Sequence, residues 1–135
     1  MIVGVGVDSI EIFRVEKAIE KEHFLKSVFT EAEQQEIDVQ RRRAASDFAG
    51  KEAVVKVLGT GFGIIRAAEI EILRKESGEP YVILYGNAKK IAEEKGICQI
   101  HISITNTKQV ATAFAIGEAG DKNEIYLYKR TGERN

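Results

Sequence analysis

The chain has 135 residues, of which 44% are hydrophobic and 30% are charged, and this balance is typical of one globular domain. Its formal net charge is −1, with 20 basic and 21 acidic residues. Proteins that bind duplex nucleic acid usually carry an excess of Lys and Arg, so we expect no nucleic acid partner. The single cysteine, Cys98, excludes both an intramolecular disulfide and a cysteine-rich zinc site.

The sequence also argues against a membrane protein. No apolar run approaches the ~20 residues that a membrane helix needs. The N-terminal residues Met1–Gly4 have no basic segment before their apolar side chains, as a signal peptide would have. We therefore expect a cytoplasmic protein without a membrane partner.

Hydrophobic periodicity predicts an α+β fold, with helices clustered early in the chain and strands late. Ile2–Ile12 alternates as a strand, and Arg14–Lys26 follows as a helix. The capping box at Thr30–Glu33 begins another helix. The helix with the strongest pattern runs from about Arg42 to Leu58 and ends at Gly59.

The second half of the chain is predicted to contain four strands, at Glu69–Arg74, Tyr81–Tyr85, Ile100–Thr105 and Ala111–Ile116. Ser77–Pro80 joins the first two as a hairpin, and Asn87 caps a helix that Gly96 ends. We expect one domain over residues 1–118 and a C-terminal extension over 119–135, in which Ile125–Tyr128 forms an edge strand or an oligomer contact.

Asp8 is the first candidate for chemistry. It shares one face of the first strand with Gly4 and Gly6, whose missing side chains leave room for a ligand or another backbone to approach the carboxylate. Alternatively, the carboxylate caps the turn where the chain leaves the sheet. Taken alone, Asp8 favours this structural interpretation.

Glu52 and Lys56 are charged residues within an otherwise apolar stripe of the long helix. Burying them is costly unless each has a partner. They could pair with each other, because Glu four residues before Lys is the favourable order. The alternative is that Glu52 binds a metal and Lys56 a phosphate.

The glycine-rich segment Gly59–Gly63 is a weak candidate for an anion site. It follows a helix and lacks the Gly-Lys-Ser/Thr ending of a P-loop. A phosphate here would need backbone N–H groups and help from Lys56 or Arg66, because the C-terminal end of a helix repels anions. A glycine that only ends the helix is the commoner case.

His101, Ser103 and Thr105 share one face of a predicted strand, which is either solvated or lines a polar cleft. No Ser/His/Asp triad or HExxH motif is present, and His23 is expected on the surface of a helix. Two histidines make a histidine-rich zinc site improbable. Carboxylates with hydroxyls and water suit Mg²⁺ better.

In combination and order, four segments resemble the bacterial holo-acyl-carrier-protein synthases, the small class of phosphopantetheinyl transferases. They are Gly4–Asp8, Phe48–Gly61, Gly78–Tyr81 and His101–Thr105. The resemblance extends to about Glu118. It implies an α+β protomer in which the strands pack with a long central helix, and a homotrimer with active sites between neighbouring subunits.

The resemblance also implies roles for individual residues. Asp8 and Glu52 correspond to the ligands of Mg²⁺, and Lys56 to a lysine that contacts phosphate; these three are the candidate catalytic residues. The candidate substrate contacts are Lys56, the loop Gly59, Thr60 and Gly61 beside the coenzyme A nucleotide, Pro80 near its adenine end, Ser103, Asn106, and Arg14 facing acidic acyl carrier protein. Lys17 and Lys21 lie on the same side of the chain as Arg14.

The implied reaction transfers the 4′-phosphopantetheine group of coenzyme A to a serine of apo acyl carrier protein, a step of fatty acid biosynthesis, and releases adenosine 3′,5′-bisphosphate. Mg²⁺ and Lys56 would neutralise charge on the leaving side. Glu52 would accept the serine proton, directly or through water.

Two positions depart from the family pattern. Asn106 stands where members often have a histidine, and it cannot act as a base near neutral pH. Asp47 stands where members often have an arginine, so a positive contact is missing or replaced. A non-catalytic coenzyme A or nucleotide-binding module, or a structural homo-oligomer with Asp8 and Glu52 in interface ion pairs, are the alternatives. The intact Asp8, Glu52 and Lys56 favour an enzyme.

Overall fold

A computed structural model describes residues 1–120. The predicted segment Ile125–Tyr128 and most of the predicted C-terminal extension lie outside these residues. The described helices and strands are β1 (Ile2–Glu11), α1 (Ile12–Ala18), α2 (Glu22–Val28), α3 (Glu31–Val39), α4 (Arg43–Leu58), β2 (Ile70–Arg74), β3 (Pro80–Leu84), α5 (Gly86–Glu94), β4 (Ile97–Asn106) and β5 (Val110–Ala119). The α+β class is confirmed.

The strands form two antiparallel sheets. One has the order β1-β5-β4, and the other is the hairpin of β2 and β3. The predicted strands are therefore confirmed, with ends that shift by a few residues. The capping box at Thr30 is also confirmed, since the Glu33 amide donates to the Thr30 hydroxyl and the Thr30 amide donates to the Glu33 carboxylate.

The single helix predicted over Arg14–Lys26 is wrong, because the chain divides it into α1 and α2. Lys21 has an extended backbone, with φ −87° and ψ 117°, between the two. The break lets both helices turn their apolar sides inward: Val15 and Ile19 are buried, and Phe24 and Val28 pack against the same core. In one continuous helix, with a turn of about 100° per residue, Phe24 and Val28 would lie on the side opposite Val15 and Ile19.

The predicted role of Asn87 as a helix cap is also wrong. Tyr85 occupies the cap position of α5, which begins at Gly86. The Asn87 backbone N–H donates to the Glu69 carboxylate at 3.0 Å, and its side chain donates to the carbonyl of Ile64 at 2.9 Å. Asn87 thus ties the start of α5 to the preceding loop.

The helix α4 packs on the three-stranded sheet at very short range. A Cβ atom added at Gly6 would lie 2.0 Å from the carbonyl oxygen of Ala53, and one added at Gly4 would lie 2.6 Å from that of Val57. Glycine is therefore required at both positions, since any side chain would push β1 away from α4. The space beside Asp8 is occupied by another backbone, as one of the two sequence interpretations allowed.

The opposite face of this sheet is open in the protomer. Val5, Val7 and Phe114 have exposed fractions of 56%, 53% and 42%. The strand face that carries His101, Ser103 and Thr105 belongs to this outer side, since Ser103 pairs with Phe114 across β4 and β5. His101 Nε2 and Glu118 Oε1 form a hydrogen bond there, at 2.9 Å.

A buried ion pair between Lys51 and Glu33 joins α4 to α3 and to the backbone of β2. Lys51 and Glu33 have no exposed side-chain surface, and Lys51 Nζ lies 2.8 Å from Glu33 Oε1. The ammonium also donates to the carbonyls of Ala67 and Ile70, and the second Glu33 oxygen accepts from the amide of Ile72. Every donor of the lysine is thus satisfied, as a buried charge requires.

Candidate active site

Asp8 and Lys56 meet where β1 passes α4. Lys56 Nζ lies 3.3 Å from Asp8 Oδ1 and donates to the carbonyl oxygen of Val7 at 2.7 Å. The Asp8 side chain is 21% exposed and that of Lys56 is 51% exposed. Half of the Lys56 side chain is therefore in contact with solvent. The expectation that Lys56 lies buried in the apolar stripe of α4 is wrong.

Glu52 lies one turn before Lys56 on α4 and is half-buried. Within residues 1–120 its carboxylate takes part in no hydrogen bond or ion pair, so the pairing of Glu52 with Lys56 considered from sequence spacing is wrong. Burial raises the pKa of Glu52, and the negative charge of Asp8 raises it further, while Lys56 opposes both. The two carboxylates are therefore close enough to repel each other.

The arrangement fits a hard divalent cation. Glu52 is a half-buried carboxylate without a partner, and its neighbour Asp8 supplies a second negative charge. Within the described part of the chain, no cluster of three or more His, Cys, Asp or Glu side chains could hold a metal. Two carboxylates leave the remaining coordination positions to water and substrate oxygens, a pattern that Mg²⁺ prefers.

The glycine loop follows α4 directly. Gly59 has φ +76°, the left-handed conformation that ends the helix, and Gly61 has open space beside its Cα. The Thr60 hydroxyl oxygen is buried and has no hydrogen-bond partner within residues 1–120. Such a group is costly to leave unpaired, so Thr60 is the loop residue most in need of a ligand contact.

A pocket with a volume of about 230 Å³ lies at the other end of α4. It brings together the predicted contacts Pro80 and Asn106, and its remaining lining residues are Gln40, Arg42, Arg43, Ser46, Arg74, Gly78 and Ile104. We call this the arginine pocket. Asn106 Nδ2 donates to the Ser46 hydroxyl at 2.7 Å, so the pocket fixes the orientation of the amide.

Asp47, which stands where an arginine was expected, lies behind the arginine pocket and pairs with one of its arginines. Its side chain has no exposed surface, and it forms an ion pair with Arg74 of β2. Burial raises the pKa of Asp47 to about 7, against the opposing charge of Arg74. Asp47 therefore does not face a ligand directly, and the pocket keeps three guanidinium groups.

Arg14 lies on the surface of α1, with its side chain 78% exposed and an ion pair to Glu11 at 3.5 Å. Lys17 lies over the ring of exposed Phe13, at 5.9 Å from the ring centroid. Both basic side chains are accessible to a partner. This surface belongs to neither the Asp8–Glu52 pair nor the arginine pocket.

Ser103 is not brought together with the other candidates in one protomer. It lies on the outer sheet face opposite Phe114, whereas Asp8 lies on the inner face with Gly6. A substrate contact through Ser103 would have to come from a neighbouring subunit, so this role stays a prediction.

Sequence reasoning missed Arg42, Arg43 and Arg74. The run Arg41–Arg43 was a visible signal of local positive charge, but the net charge of −1 concealed it. Arg74 gave no signal, because only the fold brings the end of β2 beside Asp47. It also missed that Lys51, and not Lys56, is the buried lysine of α4.

Comparisons with known proteins agree with this geometry. The sequence model of the 4′-phosphopantetheinyl transferase superfamily matches residues 4–115. A holo-[acyl-carrier-protein] synthase from Lachnoclostridium phytofermentans is 54% identical over 118 residues, which cover 87% of this chain and 97% of the relative.

Two solved structures give the same answer. An acyl carrier protein synthase from Plasmodium yoelii with ADP bound has a TM-score of 0.81 and 32% identity, covering 90% of this chain and 98% of that one. A holo-(acyl-carrier-protein) synthase from Bacillus anthracis, in complex with CoA (3′,5′-ADP), has a TM-score of 0.74 and 31% identity, covering 89% and 99%. The chain therefore belongs to the 4′-phosphopantetheinyl transferase superfamily and, within it, to the holo-[acyl-carrier-protein] synthases.

Proposed function

We propose that this protein transfers the 4′-phosphopantetheine group of coenzyme A to a serine of apo acyl carrier protein, with Mg²⁺ at Asp8 and Glu52, and releases adenosine 3′,5′-bisphosphate. The observation that carries the proposal is the meeting of Asp8, Glu52 and Lys56 between β1 and α4 in a member of this family. The enzyme breaks the bond between the phosphorus that bears pantetheine and the oxygen of the leaving nucleotide. The serine oxygen forms the new bond to that phosphorus.

Lys56 binds the phosphate. Its ammonium has three N–H donors, of which two are directed to the Val7 carbonyl and to Asp8. The third donor is left for a phosphate oxygen. Asp8 holds the lysine in place, and the half-exposed position of Lys56 keeps the charge accessible to substrate.

Glu52 would hold the cation together with Asp8, and its carboxylate would accept the serine proton, directly or through water. In the metal-free protein, burial and the charge of Asp8 raise the pKa of Glu52, which favours uptake of a proton by this carboxylate. Mg²⁺ at these two carboxylates would neutralise charge on the pyrophosphate. A well-placed charge of this kind lowers the barrier by roughly 3 kcal/mol, which is on the order of a hundredfold in rate.

The nucleotide end of coenzyme A occupies the arginine pocket in this proposal. Three guanidinium groups and the fixed Asn106 amide suit phosphate and base edges, and Pro80 supplies an apolar wall. Ser46 of the pocket and Glu52 are separated by about 9 Å along α4, at the rise of 1.5 Å per residue. Coenzyme A is long enough to reach both places.

Two partner surfaces complete the proposal. The exposed basic face with Arg14 and Lys17 meets acidic acyl carrier protein. The outer sheet face with Val5, Val7 and Phe114 joins protomers into a homotrimer, which would also bring Ser103 toward a neighbouring active site. Exposed apolar side chains on one face are typical of an oligomer contact.

The test is to incubate the full-length protein with apo carrier, coenzyme A and Mg²⁺, and to follow the mass of the carrier. We expect the carrier to gain one phosphopantetheine, and a chelator or the Asp8→Asn variant to prevent the gain. Coenzyme A binding without any mass gain, under several divalent metals, would instead identify a non-catalytic binding module. Multi-angle light scattering checks the trimer.

A further inference from the structure

We propose that Arg74, oriented by the buried carboxylate of Asp47, recognises the 3′-phosphate of coenzyme A and makes the enzyme select against the analogue that lacks this phosphate. The inference rests on the proposed function, because it assigns the arginine pocket to the nucleotide. It goes further by giving one residue the discrimination and a second residue the positioning.

The ion pair fixes the direction of the Arg74 side chain. Arg74 is the last residue of β2, its side chain is 12% exposed, and the Asp47 carboxylate behind it is fully buried. A guanidinium has five N–H donors in a planar fork. Within residues 1–120 only Nη1 is engaged, by Asp47 Oδ1. The other donors remain available on the side of the pocket.

The other two arginines have less capacity for a ligand. Arg42 Nη2 donates to the carbonyl of Thr107 at 2.5 Å, and its Nη1 donates to that of Lys108. Arg43 is bound to the side chains of Glu36 and Gln40, each at 3.0 Å. Arg74 is therefore the pocket cation with the most unused donors.

The charge of the arginine pocket also calls for an anion. Its three guanidinium groups are opposed by two carboxylates, Glu36 on Arg43 and Asp47 on Arg74. One positive charge remains uncompensated in a space of about 230 Å³. A phosphate monoester suits this site because arginine binds phosphate oxygens bidentately.

With Asp47 on α4, the positive charge at this place in the pocket comes from Arg74 of β2 and not from the helix. The family resemblance leads to the expectation of an arginine at this position of α4, whereas here the helix carries an acid that forms an ion pair with an arginine of β2. Since burial raises the pKa of Asp47 to about 7, removal of Arg74 would favour the neutral acid and leave little buried charge. An Arg74 variant is therefore expected to fold.

The experiment measures Kd for coenzyme A and for 3′-dephospho-coenzyme A by calorimetry, with the full-length protein. The wild type should prefer coenzyme A. In Arg74→Gln we expect coenzyme A to bind roughly tenfold or more weakly, with dephospho-coenzyme A nearly unchanged. Arg74→Lys should keep part of the preference. Lys75→Gln removes a neighbouring exposed charge outside the pocket and should leave both affinities unchanged.

The ratio of the two affinities is read within each variant, so a general loss of stability does not mimic the effect. A wild type that binds both compounds equally, or an unchanged ratio in Arg74→Gln with a lowered Tm, would show that the ion pair is only structural. If Arg74→Gln does not fold, the same reading is made on Arg74→Lys.

Asp47→Asn tests the positioning role separately. It should reduce the preference for coenzyme A although it removes no positive charge, and a wild-type ratio in this variant would remove Asp47 from the proposal. Carrier modification is measured in parallel. A wild type that discriminates but modifies no carrier would disprove the proposed function while supporting Arg74, and the reverse result would disprove only the inference.

Discussion

The Lys56 ammonium lies 3.3 Å from the carboxylate of Asp8, a residue of β1, and not against Glu52, the carboxylate one turn before it on the same helix. Spacing along α4 alone would pair Lys56 with Glu52. Because the lysine is turned toward the strand, Glu52 is left as a half-buried carboxylate beside a second negative charge. This asymmetry leads to different expectations for each of the three residues.

Glu52→Gln should stabilise the metal-free protein and abolish most of its activity. The substitution removes a half-buried charge that Asp8 repels, and it also removes the proposed metal ligand and proton acceptor. We expect a higher Tm and a loss of kcat on the order of a hundredfold or more. Glu94→Gln, on the exposed side of α5, is the matched control and should change neither.

The same variant carries a pH signature. The pKa of Glu52 is raised in the folded protein, so the folded state holds its proton at pH values where the unfolded chain has lost it. Stability from this group is present below its ordinary pKa of about 4.5 and is lost as pH rises through the folded value. The Tm advantage of Glu52→Gln should therefore grow with pH, and an advantage that shrinks would contradict the assigned environment.

Lys56→Ala should weaken coenzyme A binding and turnover more than it weakens the fold. The side chain is half exposed, and exposed ion pairs contribute only about 0–1 kcal/mol to stability. Thermal unfolding and coenzyme A affinity are measured together, with exposed Lys90→Ala as control. A large fall in Tm with unchanged affinity would make the Lys56–Asp8 contact a structural ion pair.

Lys51→Ala should have the opposite effect, because this lysine is the buried one. Its loss leaves Glu33 charged or forced to take up a proton in the core, at a cost of about 3–5 kcal/mol in the free energy of unfolding. Denaturant titration measures the loss. Replacing both partners together, as Lys51→Met with Glu33→Gln, should recover part of the stability; no recovery would mean that the pair acts through its separate backbone contacts.

Arg14→Glu should raise KM for the carrier protein and leave coenzyme A affinity nearly unchanged. Charges at the rim of an interface act mainly on association rate and salt dependence. Steady-state kinetics at low and high ionic strength separate the two effects, and Lys90→Glu reverses a charge elsewhere as control. Equal damage to both substrates would place Arg14 in the nucleotide site.

Asn106→His introduces the residue that the family resemblance leads us to expect at this position, and it should change the rate only modestly. In the structure Asn106 bonds to Ser46 in the arginine pocket, and none of its hydrogen bonds reaches Asp8, Glu52 or Lys56. The native protein should thus be active without a base at this position. The pH–rate profile of the variant should gain a titration near ~6.5. A silent native protein that the histidine activates would overturn the assignment of Glu52 as proton acceptor.

The sequence predicted the strands, the capping box and α4 because these features depend on local periodicity and capping. The break at Lys21 was not predictable in the same way. Apolar side chains recur on both sides of it, and only the position of the core shows that two short helices bury them better than one. Asn87 failed as a cap for a similar reason, since Glu69 from a distant segment binds its backbone N–H.

Motif and family resemblance together pointed to Asp8, Glu52 and Lys56, which the fold brings close to one another, while their roles stay predictions. The contacts that the two lysines of α4 make could not be predicted from the sequence. Which carboxylate Lys56 contacts, and that Lys51 is the lysine without exposed surface, depend on how far α4 lies from β1 and from α3. The contact between Arg74 and Asp47 was harder still to predict, because the two residues belong to different elements, β2 and α4.

The glycines at positions 4 and 6 limit how the separation of Asp8 and Glu52 can change by substitution. Gly6 lies on the same strand face as Asp8 and touches the carbonyl of Ala53, the residue next to Glu52. The separation of the two carboxylates is therefore fixed by the spacing of two backbones. A larger residue at position 6 would displace the helix and carry Glu52 with it. In the proposed function, a substitution at either glycine would therefore change metal binding and folding stability together.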